Sequence, residues 1–392
     1  MPRPEIVPKP SSEAMDLNPV VAIAKAGPSV EAAVKKAVAL AGGMESVVNR
    51  GETILLKPNF VAPRDSATGA TTDFRIIRAV AGEVRRCGGE PVLFETPALE
   101  FSRDTVFEVL GVRDFARENG IGLIDGPDDL VDVPVAGGRA FTSIRIPRVV
   151  RGAKIINLPK LKTHVSAALT CSLKNLIGLL PAAEKRRVHT RGIHASIADL
   201  HRVFHPAMTI VDGLTCMEGD GPTYGDHVEM GLVIAGNDMV AVDITCCRII
   251  GLPWEKVSYL RRIAGRDAPA KIQLVGDSLE SVARDFKIPR KGPLFQIAAA
   301  LLYVLDVPFS KIFSQPLPQF LYGTGYIGTN PKIIRTKCNQ CGDCRKACPV
   351  PDALEVETFR VKYRLCVRCL KCYEACPRDA IAVKGVSRPE HR

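Results

Sequence analysis

The fold class is decided by residues 53–95, which read TILLKPNFVAPRDSATGATTDFRIIRAVAGEVRRCGGEPVLFE. Thr53–Lys57 is an apolar run that is typical of a buried strand. Apolar residues then recur at helical spacing over Phe74–Val84, after a Thr-Thr-Asp start signal and before a Cys-Gly-Gly stop signal. A second strand is predicted at Val92–Glu95. Strand, helix and strand in this order indicate parallel strands joined by a crossover helix.

The same alternation continues on both sides of this unit. Val20–Ala24 is a strand candidate, and residues 30–41 carry apolar side chains at helical spacing. Further strands are predicted at Gly122–Asp125, Lys154–Asn157, Thr209–Asp212, Leu232–Ala235 and Ile272–Val275, and further helices at Ile197–Phe204, Met239–Ile250 and Val257–Ala264. We therefore predict an α/β domain over residues 18–290, with a mostly parallel sheet flanked by helices.

Composition favours a globular protein of more than one domain. The chain has 392 residues, of which 46% are hydrophobic and 24% are charged. The longest nearly uncharged apolar run, Leu294–Leu305, is shorter than the roughly 20 residues that a membrane-spanning helix needs. Met1–Lys9 has no apolar segment of the secretory type. The sequence thus predicts a cytoplasmic protein.

Cysteine is concentrated in the last part of the chain. Eight of the 13 cysteines lie between Cys338 and Cys376. They form two runs with the spacing C-x2-C-x2-C-x3-C-P, which is the pattern of bacterial ferredoxins with two 4Fe–4S clusters. A zinc site is the alternative, but it needs only four ligands, commonly in two pairs. We therefore predict a small α+β ferredoxin-like domain over residues 330–386.

In such proteins the fourth cysteine of each run binds the other cluster. This rule assigns Cys338, Cys341, Cys344 and Cys376 to cluster 1, and Cys366, Cys369, Cys372 and Cys348 to cluster 2. We expect the two clusters to relay single electrons, because two clusters in series are redundant as a structural support.

The charge of the chain is also concentrated in the tail. The formal net charge is +11, and the residues from Asn330 onward contribute +7 of it. Basic residues of this kind offset the negative charge of the clusters, or form a docking surface for an electron donor or acceptor protein. No zinc-finger, helix-turn-helix or aromatic-basic signature is present, so no nucleic-acid partner is predicted.

Between the two domains lies a segment rich in aromatic residues, predicted over residues 291–329. Residues 295–326 contain seven aromatic side chains and three prolines. One interpretation is a helical linker that docks the tail on the main domain. The other is an apolar lid, or a surface that contacts a lipophilic substrate or a membrane without spanning it.

Three polar stretches follow predicted strands of the α/β domain, where ligands of open sheets bind. They begin at Lys57, Asn157 and Asp212. The second stretch combines three lysines with a histidine, which suits an anion. Plain helix caps, turns and solvated acids are the alternative interpretation. Cys171 lies between His164 and Lys174, whose charges would favour a reactive thiolate. No G-x-G-x-x-G run follows an early strand, so no dinucleotide site is predicted.

Together these stretches resemble the family named domain of unknown function 362. The matching pieces are Lys57-Pro58-Asn59, Gly69-Ala70-Thr71-Thr72-Asp73, residues 157–164, Leu173-Lys174-Asn175, residues 217–222 and Ala241-Val242-Asp243. The resemblance covers about 190 residues in order. It implies an α/β architecture that is often fused to a ferredoxin tail, and it implies no particular reaction.

The leading hypothesis is an iron–sulfur oxidoreductase. Electrons would pass from two 4Fe–4S clusters to a substrate or cofactor in a cleft of the α/β domain. An anionic or carbonyl group would be bound by Lys57, Lys160, Lys162, His164, Lys174 and Asn175, while Asp212 and Glu218 would transfer protons or hold a metal. The alternative is a non-catalytic electron-transfer subunit that docks on a partner enzyme.

Overall fold

The computed structural model describes residues 18–126, 129–265, 272–289, 293–313, 316–324 and 330–383. The strands of the α/β domain are β1 (Val20–Lys25), β2 (Thr53–Lys57), β3 (Glu90–Leu93), β4 (Gly122–Leu123), β5 (Leu130–Pro134), β6 (Ser143–Pro147), β7 (Lys154–Asn157), β8 (Lys160–His164), β9 (Ala168–Thr170), β10 (Met208–Glu218), β11 (Asp226–Gly236) and β12 (Gln273–Gly276). Within the described residues ten of these strands form one sheet.

The order of the main sheet is β12-β1-β11-β10-β7-β2-β3-β4, with β8 beside β10 and β9 beside β8. β2 pairs in parallel with both β3 and β7, as the βαβ pattern predicts. β11 is antiparallel to both of its neighbours, β1 and β10. The α/β class with a mostly parallel sheet is therefore confirmed. The sequence did not predict the long hairpin of β10 and β11, which separates β1 from the strands that follow it along the chain.

Helices cover both faces of the sheet. They are α1 (Val30–Leu40), α2 (Phe74–Arg86), α3 (Arg103–Leu110), α4 (Val112–Glu118), α5 (Ser172–Asn175), α6 (Ala182–Thr190), α7 (Ile193–Val203), α8 (Met239–Ile249) and α9 (Ser258–Ala264). Side chains alternate between the two faces of a strand. Accordingly Val21 and Ile23 of β1 pack with α7, α8 and α9, whereas Ala22 and Ala24 pack with α1 and α2.

Helix α2 begins where the Thr-Thr-Asp signal predicts. Asp73 has an extended backbone, and its carboxylate accepts a hydrogen bond from the backbone N–H of Arg75 at 2.8 Å. This is the geometry of an N-cap. The Gly-Ala-Thr-Thr loop before it needs a glycine, since Gly69 has a φ of +74° and its α-carbon packs against the carbonyl of Cys216. The loop thereby lies over the end of β10.

Strand β8 has no apolar pattern in the sequence, because it carries two lysines and a histidine in five residues. All five residues are nevertheless buried. The strand forms because the lysine side chains find partners from distant parts of the chain, and local patterns do not show such partners. The sequence analysis also did not predict β9 or the separate hairpin of β5 and β6.

The C-terminal part of the chain contains two helices and a small two-layered tail. The helices are α10 (Pro293–Phe313) and α11 (Leu317–Thr324), and the tail contains β13 (Pro331–Ile333), α12 (Asp343–Lys346), β14 (Leu354–Glu355), β15 (Arg360–Val361), α13 (Lys371–Glu374) and β16 (Ile381–Val383). The two antiparallel strand pairs and two short helices agree with the predicted α+β tail. Across the described segments, no helix is both long and apolar enough to cross a bilayer.

The predicted domain boundaries stay predictions. Residues 290, 291, 329 and 386, and Tyr326 of the aromatic segment, lie outside the described residues. Within them, the α/β domain continues at least to Lys287, whose backbone N–H donates to the carboxylate of Glu218 at 2.9 Å.

Candidate functional site

Polar side chains from neighbouring strands meet at the carboxyl edge of the sheet. Lys57, the last residue of β2, lies beside Asn157, the last residue of β7. Lys160 of β8 lies beside Asp212 of β10. The structure therefore brings together residues of all three polar stretches at the edge where ligands of open α/β sheets bind.

Lys57 forms a buried ion pair. Its Nζ lies 2.5 Å from Oε2 of Glu95 and donates a second hydrogen bond to the carbonyl of Pro58 at 2.7 Å. Lys57 is completely excluded from water, and Glu95 is 4% exposed. Gly178 packs directly on the pair, so that a methyl group at this position would overlap the Glu95 carboxylate. Lys57 thus joins the end of β2 to Glu95, and two of the three donors of its buried ammonium are used within the protein.

Lys160 and Asp212 form a second buried pair. The Lys160 Nζ lies 2.8 Å from Oδ2 of Asp212, and neither side chain is exposed. The same carboxylate accepts hydrogen bonds from the backbone N–H groups of Asp73 at 2.7 Å and Leu214 at 3.0 Å. Asp212 therefore fixes the start of α2 to β8. Its oxygens are already occupied, which leaves it poorly placed as a proton carrier or a metal ligand.

Lys162 belongs to a buried chain of amides. Its Nζ donates to Oδ1 of Asn59 at 3.1 Å and to the carbonyl of Ala70 at 2.5 Å. Asn59 Nδ2 donates to Oδ1 of Asn175 at 2.9 Å, and Asn175 Nδ2 donates to Asn157 at 2.8 Å. Burial and the neighbouring lysines hold the pKa of Lys162 well below its usual value. Asn59 was not among the predicted site residues, although it lies at the centre of this chain.

Lys174 differs from the other three lysines. Among the described residues, no hydrogen-bond or ion-pair partner faces its ammonium group, and its side chain is half-buried. Burial lowers the pKa of Lys174 to about 8, and the carboxylate of Glu100 opposes this shift. Lys185 has a similarly low pKa, about 7, because of its burial, but its Nζ donates to the carbonyls of Thr96 and Pro97.

Two imidazoles accompany the Lys174 ammonium. Burial and the charge of Lys174 hold the pKa of His164 well below its usual value and lower the pKa of His189 to about 3. Both imidazoles are therefore neutral at pH 7. Nδ1 of His164 accepts hydrogen bonds from the backbone N–H groups of Ser166 at 3.0 Å and Ala167 at 3.1 Å, so its proton lies on Nε2. One ammonium beside two neutral imidazoles can bind and polarise an anion or a carbonyl oxygen.

Glu218 is separated from this group. One of its oxygens accepts the backbone N–H of Lys287, and the other pairs with the Lys287 Nζ at 3.0 Å. The side chain thus anchors residues 286–289 to the end of β10. Over the described ranges, no group of three or more His, Cys, Asp or Glu side chains is arranged to hold a single metal ion. The hypothesis that Asp212 or Glu218 holds a metal gains no support from this geometry.

The expectation of a reactive Cys171 is wrong. Cys171 is completely buried, beside Cys246 and Asp243. Burial raises the pKa of its thiol well above the usual value, and both neighbours raise it further. Neither the neutral imidazole of His164 nor the ammonium of Lys174 lowers the pKa of this thiol, because the side chain lies in the core beside Cys246 and Asp243 of α8.

The two cysteine loops of the tail have the same backbone conformation. Gln340 and Gly342, on either side of Cys341, have φ values of +59° and +83°. Arg368 and Leu370, on either side of Cys369, have φ values of +55° and +62°. Left-handed residues at matching positions therefore curl each loop in the same way. Leucine at position 370 adopts this unfavourable conformation where the other loop has glycine.

The thiols group across the two runs. Besides burial, the charges that raise the pKa of Cys344 come from Cys376, Cys338 and Cys341. Those that raise the pKa of Cys369 come from Cys348 and Cys366. Cys376 is therefore near the first run and Cys348 near the second, as the crossed ligation of two 4Fe–4S clusters requires. The assignment of each cysteine to one of the two clusters stays a prediction.

The tail packs on the α/β domain at the carboxyl edge of the sheet. Arg64, in the loop after β2, pairs with Glu374 of α13 at 3.5 Å, and Lys371 donates to the carbonyl of Val109 at 3.3 Å. Tyr224, in the loop after β10, packs on the core of the tail. Arg64 is 5% exposed, and within the described structure its Nε and Nη1 have no hydrogen-bond acceptor. Its guanidinium lies near Cys369, where it fits the negative charge of cluster 2.

Replacing Arg64 with methionine is expected to lower the reduction potential of cluster 2. A nearby positive charge stabilises the more negative, reduced state of a cluster, and its removal withdraws this stabilisation. We expect a fall of about 60 mV, which corresponds to about 1.4 kcal/mol for one electron. The potentials are measured by redox titration followed by EPR. Arg64→Lys should restore much of the difference, and an unchanged potential in Arg64→Met would show that the guanidinium does not act on the cluster.

Sequence patterns missed several residues of this region. Glu95, Glu100 and Lys185 follow no motif, and Arg64 stands in a loop whose role depends on a tail almost 300 residues further along the chain. Charge was the one feature of the sequence that could have indicated these partners. Lys57 and Lys160 are parts of buried strands, and a buried ammonium requires an acidic partner. That requirement does not identify which carboxylate supplies it.

Comparison with known proteins agrees with this division of the chain. Residues 54–248 match the family described as domain of unknown function (DUF362), and residues 330–380 match the 4Fe-4S dicluster domain. Thylakoid-associated protein sll1697 of Synechocystis sp. is 32% identical over 224 residues, which cover 54% of this chain and 67% of that protein. Pyruvate dehydrogenase (NADP+) of Cryptosporidium parvum is 21% identical over 372 residues, which cover 70% of this chain and 19% of that protein.

Proposed function

We propose a redox enzyme function for this chain, which belongs to the DUF362 family and ends in a 4Fe–4S dicluster domain. Electrons enter through the two clusters, and a substrate or cofactor at the carboxyl edge of the α/β sheet receives them. The eight tail cysteines hold the clusters, and the clusters supply single electrons at potentials set by their surroundings.

The observation that carries this proposal is the position at which the tail packs on the α/β domain. Arg64 and Tyr224 fix it over the loops that follow β2 and β10, which are the loops of the ligand-binding edge. Cys369 of cluster 2 lies next to Arg64, whereas Cys341 of cluster 1 is exposed on the surface. A relay that runs from cluster 1 to cluster 2 would therefore end at the α/β domain.

Lys174, His164 and His189 are the residues that we propose for substrate binding. They combine a positive charge without a partner among the described residues and two neutral imidazoles. An anionic or carbonyl-bearing small molecule suits this group. We assign a positioning role to the residues whose buried contacts hold the neighbouring strand ends in place, which are Lys57, Lys160, Lys162, Asn175 and Asp212.

The chemistry of Lys174 gives a prediction. Its folded pKa of about 8 lies below the usual 10.4, so half of its amines are neutral at pH 8, about a hundred times the neutral fraction of an ordinary lysine. Pyridoxal phosphate, an anionic aldehyde, reacts with neutral amines and can be fixed with borohydride. We expect Lys174 to be labelled first, at a rate that rises with pH up to about 8 and then levels off. Peptide mass spectrometry locates the label.

Lys185 is the matched control, since its pKa is also low but its Nζ is hydrogen-bonded to two carbonyls. It should stay unlabelled. Labelling of Lys174 that rises only near pH 10, as for surface lysines, would contradict the proposed binding group.

The proposed function itself is tested on the anaerobically purified full chain. Dithionite reduces the clusters, and small molecules extracted from the protein are then tested as oxidants. Reoxidation that depends on one of them and is weakened in Lys174→Met supports the proposal. The absence of reducible iron would refute it. Reoxidation only by a partner protein, abolished at high salt, would favour the second function described next.

The second candidate is an electron-transfer subunit without a substrate of its own. It is favoured by an open depression of about 540 Å³ beside cluster 1, which is lined by Arg345 and Lys346 among others. Both side chains are exposed and positively charged, as a docking face for an acidic electron carrier requires.

We also propose a cytoplasmic location. All thirteen cysteines lie in the described part of the chain and none of them forms a disulfide there, which suits a reducing compartment. The Synechocystis relative is named thylakoid-associated. A contact of residues 295–326 with a membrane surface is compatible with that name, and we propose such a contact for this chain.

A further inference from the structure

A cavity of about 360 Å³ lies where the α/β domain, helix α11 and the tail meet. The α/β domain contributes residues of the loop before α3, including Glu100 and Phe101. Helix α11 contributes Phe320, and the tail contributes Tyr363 and Cys366. The volume is sufficient for a ring system of small-molecule size. None of the polar stretches described above lines this cavity.

Cys366 connects the cavity to the cysteine-rich tail. It lies in the wall of the cavity, and it is one of the four residues predicted to bind cluster 2. A molecule in the cavity would be separated from the cluster by little more than one thiolate. The cavity would therefore give a bound molecule direct access to cluster 2.

The lining suits a planar ring that carries carbonyl oxygens. Phe101, Phe320 and Tyr363 supply aromatic surfaces for stacking. The cavity wall also contains hydrogen-bond donors, namely the Arg364 guanidinium and the hydroxyls of Ser102 and Thr105. The two hydroxyls are 2.7 Å apart. Aromatic walls with a few polar groups are typical of sites that orient a small ring.

An apolar track leads from the cavity to the surface of α10. The rings of Phe320 and Phe309 are 5.4 Å apart, and those of Phe309 and Phe313 are 4.5 Å apart. Phe313 is 57% exposed, and Ile312 beside it is 72% exposed. The exposed apolar side chains of this surface also include Leu301, Val304, Leu305 and Val307. A ring in the cavity can therefore carry a long apolar chain that lies along the track.

Helix α10 is held in place on its other side. Asp306 is completely buried, and it pairs with Nε of Arg186 in α6 at 2.6 Å. It also accepts the backbone N–H of Leu317, the first residue of α11. The Asp306 carboxylate therefore fixes both α10 and α11 to the α/β domain. Because this contact lies on one side of α10, the exposed apolar side chains of the helix face the solvent on the other side.

We propose that this cavity binds the ring of a lipophilic quinone as an electron acceptor, in addition to the substrate proposed at the carboxyl edge of the sheet. The quinone would take two electrons, one at a time, and two protons from water, and it would become the hydroquinone. Cys348, Cys366, Cys369 and Cys372 would hold the cluster that supplies these electrons, and an external donor would replace them. The inference rests on the proposed function only in that the clusters must be reducible.

The test uses the full chain, purified anaerobically and reduced with dithionite, with menadione as a bare ring and decylubiquinone as a ring with an apolar chain. Cluster reoxidation is followed by absorbance. We expect saturation with both quinones and a lower half-saturation concentration for decylubiquinone. Gln319→Trp, which fills the cavity from α11, should raise both half-saturation concentrations at least about tenfold. Phe313→Glu on the track should affect decylubiquinone alone.

The controls separate the inference from the proposed function. Leu40→Trp places the same side chain on the exposed end of α1 and should behave as the unmodified protein. An azidoquinone should label peptides that contain Phe101, Phe320 or Tyr363. If ferricyanide oxidises the clusters but the quinones react without saturation and equally in Gln319→Trp, the quinone site is refuted while the redox function stands. Saturable binding of flavin mononucleotide in place of both quinones would also overturn the inference. Failure of ferricyanide and quinones alike would refute the proposed function.

Discussion

Loss of the Cys376 thiol should remove one cluster and leave the other intact. The unmodified chain should bind about eight iron atoms, and Cys376→Ala about four. The reason is that Cys376, although it ends the second run, lies with Cys338, Cys341 and Cys344 of the first run. Cys348→Ala should lose the other cluster. Iron and acid-labile sulfide are measured on protein purified without oxygen.

Double variants test the crossed arrangement most sharply. Cys338→Ala combined with Cys376→Ala removes two ligands of one cluster and should keep about four irons. Cys372→Ala combined with Cys376→Ala affects both clusters and should lose all iron. If each run held its own cluster, these two results would be exchanged. Cys171→Ala is the control and should keep about eight irons, because Cys171 is buried in the core of the α/β domain.

The cofactor class of the tail could be predicted from the sequence, because the cysteine spacing indicated the 4Fe-4S dicluster domain that residues 330–380 match. The assignment of each cysteine to one of two clusters stays a prediction. The position at which the tail packs on the α/β domain could not be predicted from the sequence. It depends on Arg64, Tyr224 and Val109, which contact the tail across more than 100 residues of chain and follow no local pattern.

Replacement of Lys160 by methionine is expected to destabilise the α/β domain by about 3–5 kcal/mol. The change leaves the Asp212 carboxylate buried without its cation, while methionine keeps a similar volume. The free energy of unfolding is measured with urea and followed by far-UV circular dichroism. A second change, Asp212→Asn, removes the stranded charge and should recover part of the loss.

Lys35→Met is the matched control for this measurement. Lys35 pairs with Glu31 at 2.7 Å on the exposed surface of α1, where the loss of such a solvent-screened pair should leave the free energy of unfolding almost unchanged. If Lys160→Met lowers the free energy of unfolding by less than about 1 kcal/mol, then Lys160 is not buried as an ion pair in the core. Lys160 would then return to the group of residues that bind substrate.

The α/β domain illustrates what periodicity can and cannot predict. Thr53–Lys57 and Lys154–Asn157 coincide with the observed strands, because buried parallel strands are continuous apolar runs. Lys160–His164 is also a buried strand, but its stability comes from Asp212, Asn59 and other distant partners. Polar residues at strand ends were correctly expected to meet. Whether a lysine of this group has a hydrogen-bond or ion-pair partner depends on long-range contacts. Only the structure therefore distinguishes Lys174 from Lys57, Lys160 and Lys162.

The central claim is that two clusters form one electron relay that is fixed to the α/β domain. A reductive titration of the anaerobically purified full chain, followed by EPR, tests it most directly. The account predicts that the chain takes up two electrons and that the spectrum shows two reduced 4Fe–4S clusters in magnetic interaction. Uptake of one electron or none, or a spectrum of a single isolated cluster, would contradict it.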